Sequence, residues 1–305
     1  ARVAVKNIFS VPGAKPRDET GPTDLVLVQV DASQAEFRIG AYLSGDEAMN
    51  DILKAGGDVH MRTADRLHAR LDVAPTDWQE WTAAFNANQK AVDAAKASGD
   101  AVALEALKKF KDKRKPTRSK VKAINFGLMY GKGDKALAED LGFTDTPEAS
   151  AAEQAGAIRK LVLGTFTRFA VWMAEQEACA RSEGGVWTWF EGNRVRFRPL
   201  LAASAAQKFM VAEALRAAIN TPIQGTAWNY IAATLIKVLS WLQTSKFPAK
   251  MILTVYDSII FETERQYAAE LAKTVQGFMC GWDMGDTPME ADADWGTHWG
   301  EMRDF

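Results

Sequence analysis

Two aspartates in this 305-residue chain lie where a carboxylate is costly to bury. Asp31 ends the apolar run DLVLVQVD, and Asp257 stands between the apolar runs MILTV and SIIF. Such a carboxylate needs a partner or a metal ion, although either aspartate taken alone also reads as a turn former at a strand end. On neighbouring strands, the two would form a pair that suits Mg²⁺, which retains waters and takes phosphate oxygens as further ligands. Two metal ions there would activate an attacking hydroxyl and hold the leaving oxygen of a phosphoryl transfer.

A second set of candidate residues repeats at a four-residue spacing. Arg118, Lys122, Phe126 and Tyr130 would form one slowly turning stripe on a helix, since each step drifts by only about 40°. Cations suit phosphates, and aromatic rings suit a sugar and a base, so the stripe predicts a nucleotide site. The alternative interpretation is a basic helix whose aromatic side chains enter the core.

A third set, Arg216, Asn220 and Gln224, has the same spacing. Pro222 falls inside it, and we predict that one helix ends before this proline and another begins there. Arginine and amide side chains suit contacts to a DNA duplex, including the acceptors of the minor groove. A polar, solvent-exposed helix face is the competing interpretation.

The hydrophobic pattern predicts the elements that position these residues. The β-branched apolar run predicts a buried strand ending at Asp31, and MILTVYDSIIFET predicts a tight hairpin with Asp257 at its tip. A helix is predicted from about Thr117 to Tyr130, and a last helix over about 264–280. The segment VWTWFEGNRVRFRP predicts a short two-stranded element.

Composition limits the function classes only weakly. The net charge of −2 gives no support to a nucleic-acid binder, although the stretch KKFKDKRKPTRSKVK is strongly basic. Cys179 and Cys280 are far apart in sequence, which argues against a disulfide framework and a structural zinc site, and indicates a reducing compartment. No segment is apolar enough to predict a membrane span.

Together, these segments resemble the motifs of family A DNA polymerases, the bacterial polymerase I type. DASQAEFR resembles motif A, usually Asp-Tyr-Ser-Gln-x-Glu-x-Arg, and RSKVKAINFGLMYG resembles motif B without displacement. VYDSI resembles motif C, and RAAINTPIQGTAWN resembles the stretch that precedes it. DVHMRTA and DWGTHW also resemble family segments, so the resemblance covers almost the whole chain.

The resemblance implies template-directed DNA synthesis from dNTPs on a primer-template, by two-metal-ion phosphoryl transfer with release of pyrophosphate. Asp31 and Asp257 would bind two Mg²⁺ ions, and Lys122 would also protonate the pyrophosphate leaving group. The nucleotide-binding residues it implies are Arg118, Lys122, Phe126, Tyr130, His60, Gln34 and Glu36, with Glu36 as the gate against a 2′-hydroxyl. The DNA-binding residues it implies are Arg216, Asn220, Gln224 and Tyr256.

The resemblance also implies an α+β fold. Residues 1–44 and 215–305 would form a palm subdomain with an antiparallel sheet, and residues 45–214 a largely helical fingers subdomain. Residues 76–115 are a helical insertion relative to the family, either a solvated hairpin or a contact to DNA or a partner. We expect the thumb and the 3′–5′ exonuclease domain to lie outside this chain, supplied by an upstream region or a partner chain.

Motif C departs from the family, because Tyr256-Asp257-Ser258 stands where His-Asp-Glu is usual. This departure and the missing thumb leave an inactive DNA-binding relative as one competing function, and the shared palm leaves a single-subunit RNA polymerase as another. The four motif residues Asp31, Asp257, Arg118 and Lys122 argue against the first, and Glu36 with the Asn-Phe-Gly of motif B against the second. We expect a cytoplasmic location in a bacterium or a phage-infected host, with an organelle as the alternative.

Overall fold

The computed structural model describes residues 10–11, 24–54, 59–60, 63, 102, 105, 118–190, 193–197 and 208–305. They form an α+β fold with a five-stranded antiparallel sheet, which confirms the predicted fold class. The chain divides into two compact units. The first takes in the chain to Gly45, Gly185–Arg198 and Thr221–Phe305; the second takes in Asp46–Gly184 and Pro199–Asn220.

The first unit contains the antiparallel sheet, whose strand order is β4-β5-β1-β6-β7. A separate hairpin is formed by β2 and β3, at the predicted two-stranded segment. The strands are β1 (Leu25–Ala32), β2 (Val186–Phe190), β3 (Asn193–Phe197), β4 (Ala249–Val255), β5 (Ser258–Glu264), β6 (Ala291–Gly296) and β7 (Arg303–Asp304). The predicted hairpin with Asp257 at its tip is therefore confirmed as β4 and β5.

Strand β1 lies at the centre of the sheet, between β5 and β6. Side chains alternate along a strand, so Val28 and Val30 point to one face, while Gln29 and Asp31 point to the other. Both valines are fully buried. The chain leaves β1 through Gln34, whose φ of 54° is left-handed, and enters helix α1 (Ala35–Ser44). Because this turn is short, Glu36 in the first turn of α1 follows only a few residues after the end of β1.

The second unit is helical over the residues that the structure describes. Its helices are α2 (Glu47–Lys54), α3 (residues 118–129), α4 (Asp134–Leu141), α5 (Ala151–Leu163) and α6 (Thr167–Glu183). Helix α3 agrees with the predicted helix and ends before Gly131, whose φ of 63° suits a residue without a Cβ. Residues 59, 60 and 63 are also helical.

The predicted helix break at Pro222 is wrong. Helix α7 runs without interruption from Lys208 to Ser245 and contains Pro222 in its interior. A proline costs a helix one backbone hydrogen bond and some steric strain, about 3 kcal/mol. Its flanking residues Ile219 and Ile223 are buried, and burial of such side chains contributes about 1.5–3 kcal/mol each, which offsets that cost.

Helix α8 (Ala268–Cys280) follows a 3-10 turn at Arg265–Tyr267. Together they cover the last helix predicted from the sequence, over about 264–280. Its buried face packs on β1 and β6 and is formed by Ala268, Leu271, Ala272, Val275 and Met279. Among the described helices, none is long and apolar enough to cross a membrane.

The compact units differ from the predicted palm and fingers ranges in two places. Gly185–Arg198, predicted in the fingers, groups with the unit that contains the sheet, and residues 215–220, predicted in the palm, group with the second unit. Their identification as palm and fingers stays a prediction. The predicted insertion, 76–115, lies outside the described residues except for Val102 and Glu105, which are helical and exposed.

Candidate active site

Antiparallel pairing brings the two predicted aspartates together in the first unit. Asp31 on β1 is in register with Ser258 on β5, and Asp257 directly precedes Ser258 at the tip of the β4–β5 hairpin. The backbone N–H of Ala32 donates to the carbonyl oxygen of Asp257 at 3.1 Å, which holds the tip against the end of β1. Two residues separated by most of the chain therefore form the carboxylate pair that the sequence predicted.

The electrostatics of this pair disfavour two negative charges. Burial, followed by the charge of Asp31, raises the pKa of Asp257 from 3.8 to about 6. The charge of Glu36 and a hydrogen bond with Asp31 act in the same direction. Like charges held close together cannot both ionise without a cost, and a cation between them removes that cost.

The donor set suits Mg²⁺, which commonly uses one or two carboxylates and completes its shell with waters and phosphate oxygens. In the part of the chain that the structure describes, no group of three or more His, Cys, Asp or Glu residues is arranged to hold a metal ion.

Further carboxylates extend from Asp31 across the sheet. Asp292 on β6 is in register with Asp31, and Ser33 donates a hydrogen bond to it at 2.6 Å. Burial, followed by the charge of Asp304 on β7, raises the pKa of Asp294 to about 6. These aspartates are not among the residues predicted from the sequence, although the alternating ADADW of β6 is a visible signal for two acids on one strand face.

The hairpin tip carries the two departures from the family motif. Tyr256 has a left-handed φ of 56°, and its side chain is 86% exposed. Ser258 is buried, and its hydroxyl donates a hydrogen bond to Oδ1 of Asp31. The two substituted residues thus have opposite environments, one facing solvent and one facing the carboxylate pair.

In the second unit, the exposed or half-exposed side of α3 carries Arg118, Lys122 and Phe126, and the half-exposed Tyr130 follows directly after the helix. Val121, Ile124 and Leu128 form the buried side. The rings of Phe126 and Tyr130 stack with centroids 5.9 Å apart, and Nζ of Lys122 lies 5.3 Å from the Phe126 centroid. Because both aromatic side chains remain half-exposed, this geometry favours the nucleotide-site interpretation over aromatics that enter the core.

His60 joins this stripe through its ring, whose centroid is 5.6 Å from that of Phe126. Asn125, on the buried side of α3, donates from Nδ2 to Thr63 Oγ1 at 3.0 Å and to His60 Nδ1 at 3.1 Å. The Thr63 hydroxyl itself donates to the carbonyl of Val59, so it can only accept from Asn125. This orientation makes Nδ1 of His60 an acceptor, and the ring proton therefore lies on Nε2.

Asn125 and Thr63 were missed from the sequence. An amide among the buried residues of α3 was the available signal, since a buried polar side chain requires partners. The amide's own oxygen is buried and has no hydrogen-bond partner in the described structure.

The third predicted set lies on one continuous helix, α7. Arg216 and Asn220 belong to the second unit, and the exposed Gln224 belongs to the first. A Cβ placed on Gly131 would lie 3.4 Å from Cγ of Arg216, so the end of α3 packs closely on α7 at this point. Oδ1 of Asn220 is buried without a hydrogen-bond partner among the described residues. Within the second unit, Arg216 therefore lies beside the end of the stripe.

Comparisons with known proteins agree with the sequence motifs. The sequence-family model described as DNA polymerase family A matches residues 82–301 of this chain. Relatives include DNA polymerase I of Pseudomonas aeruginosa, 27% identical over 92% of this chain and 25% of the relative, and that of Bacillus subtilis, 28% identical over 96% and 28%. The thermostable DNA polymerase I of Thermus aquaticus is 27% identical over 90% of this chain and 27% of the relative. This chain thus spans about a quarter of the length of these relatives.

A solved structure, the POL domain of Pol1 from M. smegmatis in complex with DNA primer-template and dNTP, has a similar fold. The TM-score is 0.71 at 23% sequence identity, and the match covers 98% of this chain and 42% of that chain. At this level of identity, the likeness supports the fold.

Proposed function

Because the chain belongs to DNA polymerase family A, we propose that it adds deoxyribonucleotides to the 3′ end of a DNA primer opposite a template, with release of pyrophosphate. The observation that carries this proposal is the pairing of Asp31 and Asp257 at adjoining strand ends. Their mutual repulsion marks a place where a cation is favourable, which is what phosphoryl transfer requires.

In this proposal, Asp31 and Asp257 hold two Mg²⁺ ions. When bound, such ions make the primer hydroxyl a better nucleophile and stabilise charge on the leaving pyrophosphate. The contribution of the protein is to hold the two carboxylates in fixed positions, since a misplaced reacting group costs large factors in rate.

The stripe of the second unit is proposed to bind the incoming nucleotide. Arg118 and Lys122 contact its phosphates, and His60 donates from Nε2 to a phosphate oxygen. Lys122 also protonates the pyrophosphate. Phe126 packs on the sugar and base, and Tyr130 lies at the position of the templating base. The half-exposed rings and the neighbouring ammonium group support this assignment.

The remaining assignments rest on sequence motifs and local geometry. Glu36 is proposed to exclude a 2′-hydroxyl, and Gln34 to contact the nucleotide from the turn before α1. Primer-template contacts are assigned to Arg216, Asn220, Gln224 and Tyr256, of which Gln224 and Tyr256 are exposed. With a net charge of −2, the chain attracts DNA weakly, so we propose that a thumb, upstream or on a partner chain, grips the duplex.

Primer extension with Mg²⁺ tests the proposal. We expect Asp31→Asn and Asp257→Asn to lose at least about 10³-fold in activity, since metal-assisted charge stabilisation supplies several kcal/mol. The control is Asp51→Asn, an exposed aspartate of α2, which should extend the primer at the wild-type rate. Near-normal extension by Asp257→Asn would refute the assignment.

The same assay distinguishes the competing functions. Extension with dNTPs and not with NTPs supports a DNA polymerase, whereas the reverse preference indicates a single-subunit RNA polymerase. A wild-type chain that binds primer-template without extending it would indicate an inactive relative.

A further inference from the structure

Ser258 belongs to a chain of side-chain hydrogen bonds that ends on Asp31. The indole Nε1 of Trp299 donates to Oε1 of Gln29 at 2.6 Å, and Nε2 of Gln29 lies 3.4 Å from Oγ of Ser258. The Ser258 hydroxyl in turn contacts Oδ1 of Asp31. This series of hydrogen bonds links the 3-10 turn after β6, strand β1 and strand β5, all within the first unit.

The direction of every hydrogen bond in this series follows from its first donor, the indole N–H of Trp299. An indole N–H can only donate, so the atom of Gln29 that faces Trp299 is the amide oxygen. The amide NH₂ of Gln29 therefore faces Ser258, and an NH₂ group has no capacity to accept. The Ser258 hydroxyl must accept from Gln29, and its own proton is left for the carboxylate of Asp31.

We propose that Ser258 is a positioning residue, which holds Oδ1 of Asp31 by a directed hydrogen bond and so leaves Oδ2 for the metal or substrate. This inference rests on the proposed function. It assigns a task to the residue that stands where the family motif usually has a glutamate. In this protein, the serine at that position holds the carboxylate of Asp31 in place and adds no third carboxylate to the pair of Asp31 and Asp257.

The charge balance of the site supports this role. Asp31 and Asp257 already lie side by side at the ends of adjoining strands, and a glutamate at 258 would place a third acid between these strands. A hydroxyl donor instead disperses part of the negative charge of Asp31, as charge-assisted hydrogen bonds do. Because Ser258 is buried, water competes poorly for this bond.

The bond itself is tested without metal, DNA or turnover, by a double-mutant cycle on thermal unfolding. Ser258→Ala should lower the midpoint of the metal-free chain by about 3–6 °C, since a hydrogen bond to a charged group is lost. In an Asp31→Ala background, the same change should lower it by less than half as much. Equal effects in the two backgrounds would overturn the directed bond to Asp31.

The positioning role is tested by primer extension. Ser258→Ala should lose about 10-fold or more in kcat, and Ser258→Thr, which keeps the hydroxyl, should stay within about threefold of wild type. The matched control is Thr263→Val on the same strand, which removes a hydroxyl that donates to the carbonyl of Pro248 at 2.8 Å. This control should lower the unfolding midpoint and leave kcat unchanged.

The outcomes separate this inference from the proposed function. Coupling to Asp31 together with a loss of kcat in Ser258→Ala and rescue in Ser258→Thr supports the proposal. Coupling with unchanged kcat in Ser258→Ala overturns the positioning role. Retained extension by Asp31→Ala overturns the proposed function itself, because Ser258 would then act on a carboxylate that the reaction does not use.

Discussion

Asp257→Asn should stabilise the metal-free fold while it removes activity. The raised pKa of Asp257 means that its ionised form is held in an unfavourable position by burial and by Asp31. An asparagine has nearly the same shape and carries no charge, and its NH₂ group can donate to Asp31. The backbone bond from Ala32 to the carbonyl of residue 257 does not depend on the side chain, so the hairpin tip should remain in place.

The expected magnitude follows from the pKa of Asp257. A rise from 3.8 to about 6 corresponds to about 3 kcal/mol, at about 1.4 kcal/mol per pKa unit. Since the side chain is only half-buried, solvent screening reduces this to about 1–2 kcal/mol. For a chain of this size, we expect an increase of about 2–5 °C in the unfolding midpoint near pH 8.

The sign of the pH dependence makes the prediction specific. Below about pH 4, Asp257 is protonated in both the folded and the unfolded states and costs nothing. Between about pH 4 and pH 6, the folded state binds more protons than the unfolded state. As the pH rises through this range, the stability of the wild type therefore falls relative to that of Asp257→Asn. Above about pH 6, the difference should reach its full size and remain constant.

Thermal unfolding in the presence of a chelator, measured from about pH 4 to pH 8, provides the assay. Added Mg²⁺ should raise the midpoint of the wild type more than that of Asp257→Asn, since a ligand stabilises the state that binds it. Asp51→Asn serves as the control and should follow the wild type at every pH. A destabilised Asp257→Asn, or a difference that does not grow as the pH rises, would refute the reasoning.

Three further substitutions test other parts of the proposed site. Glu36→Ala should raise ribonucleotide use relative to deoxyribonucleotide use by roughly tenfold or more, measured as a ratio of kcat/KM values, and an unchanged ratio would contradict its role as a gate. Phe126→Tyr should improve dideoxynucleotide incorporation by about 10- to 100-fold, because its hydroxyl replaces a hydrogen bond lost with the 3′-hydroxyl. The same assay with dNTPs is its control, and an unmoved ratio would place Phe126 away from the sugar. Ser258→Glu should lower the metal-free unfolding midpoint near pH 8 and enlarge the increase caused by Mg²⁺, and a stabilised metal-free chain would contradict the repulsion described for Asp31 and Asp257.

The sheet and the carboxylate pair could be predicted because their signals are local. β-branched apolar runs identify β1 and the β4–β5 hairpin, with one aspartate at the end of the β1 run and another at the tip of the hairpin. Once these strands are neighbours, antiparallel register alone brings Asp31 next to the hairpin tip. The four-residue spacing of the stripe is equally local, and α3 presents it as predicted.

Continuity of α7 could not be predicted, because the local signal and the tertiary contacts disagree. Pro222 weakens the helix by itself, and the rule that a helix ends before a proline depends on this local cost. The buried Ile219 and Ile223 offset the cost, and Ile219 does so beside Gly131, which is far away in the sequence. In α7, burial of the residues that flank Pro222 therefore outweighs the local cost of the proline.

The buried Arg38 shows the same limit. It is 1% exposed, donates to the carbonyl of Ser33 at 2.8 Å and forms an ion pair with Glu290. In the sequence, it falls on a helix that also carries Glu36, where an arginine ordinarily reads as a solvent-exposed residue. Only the fold supplies the partners that make its burial favourable.

Residues that support a site are harder to find than those that perform its chemistry. Asp31 is conspicuous because a carboxylate ends an apolar strand, whereas Ser258, its partner, is an ordinary residue 227 positions away. The motif alone shows only that Ser258 replaces the usual glutamate, which indicates a weakened site. The hydrogen bonds from Trp299 through Gln29 reverse this interpretation, since they make the serine oxygen an acceptor and direct the serine proton to Asp31. A departure from a motif is therefore best judged by the partners that the new side chain finds in the fold.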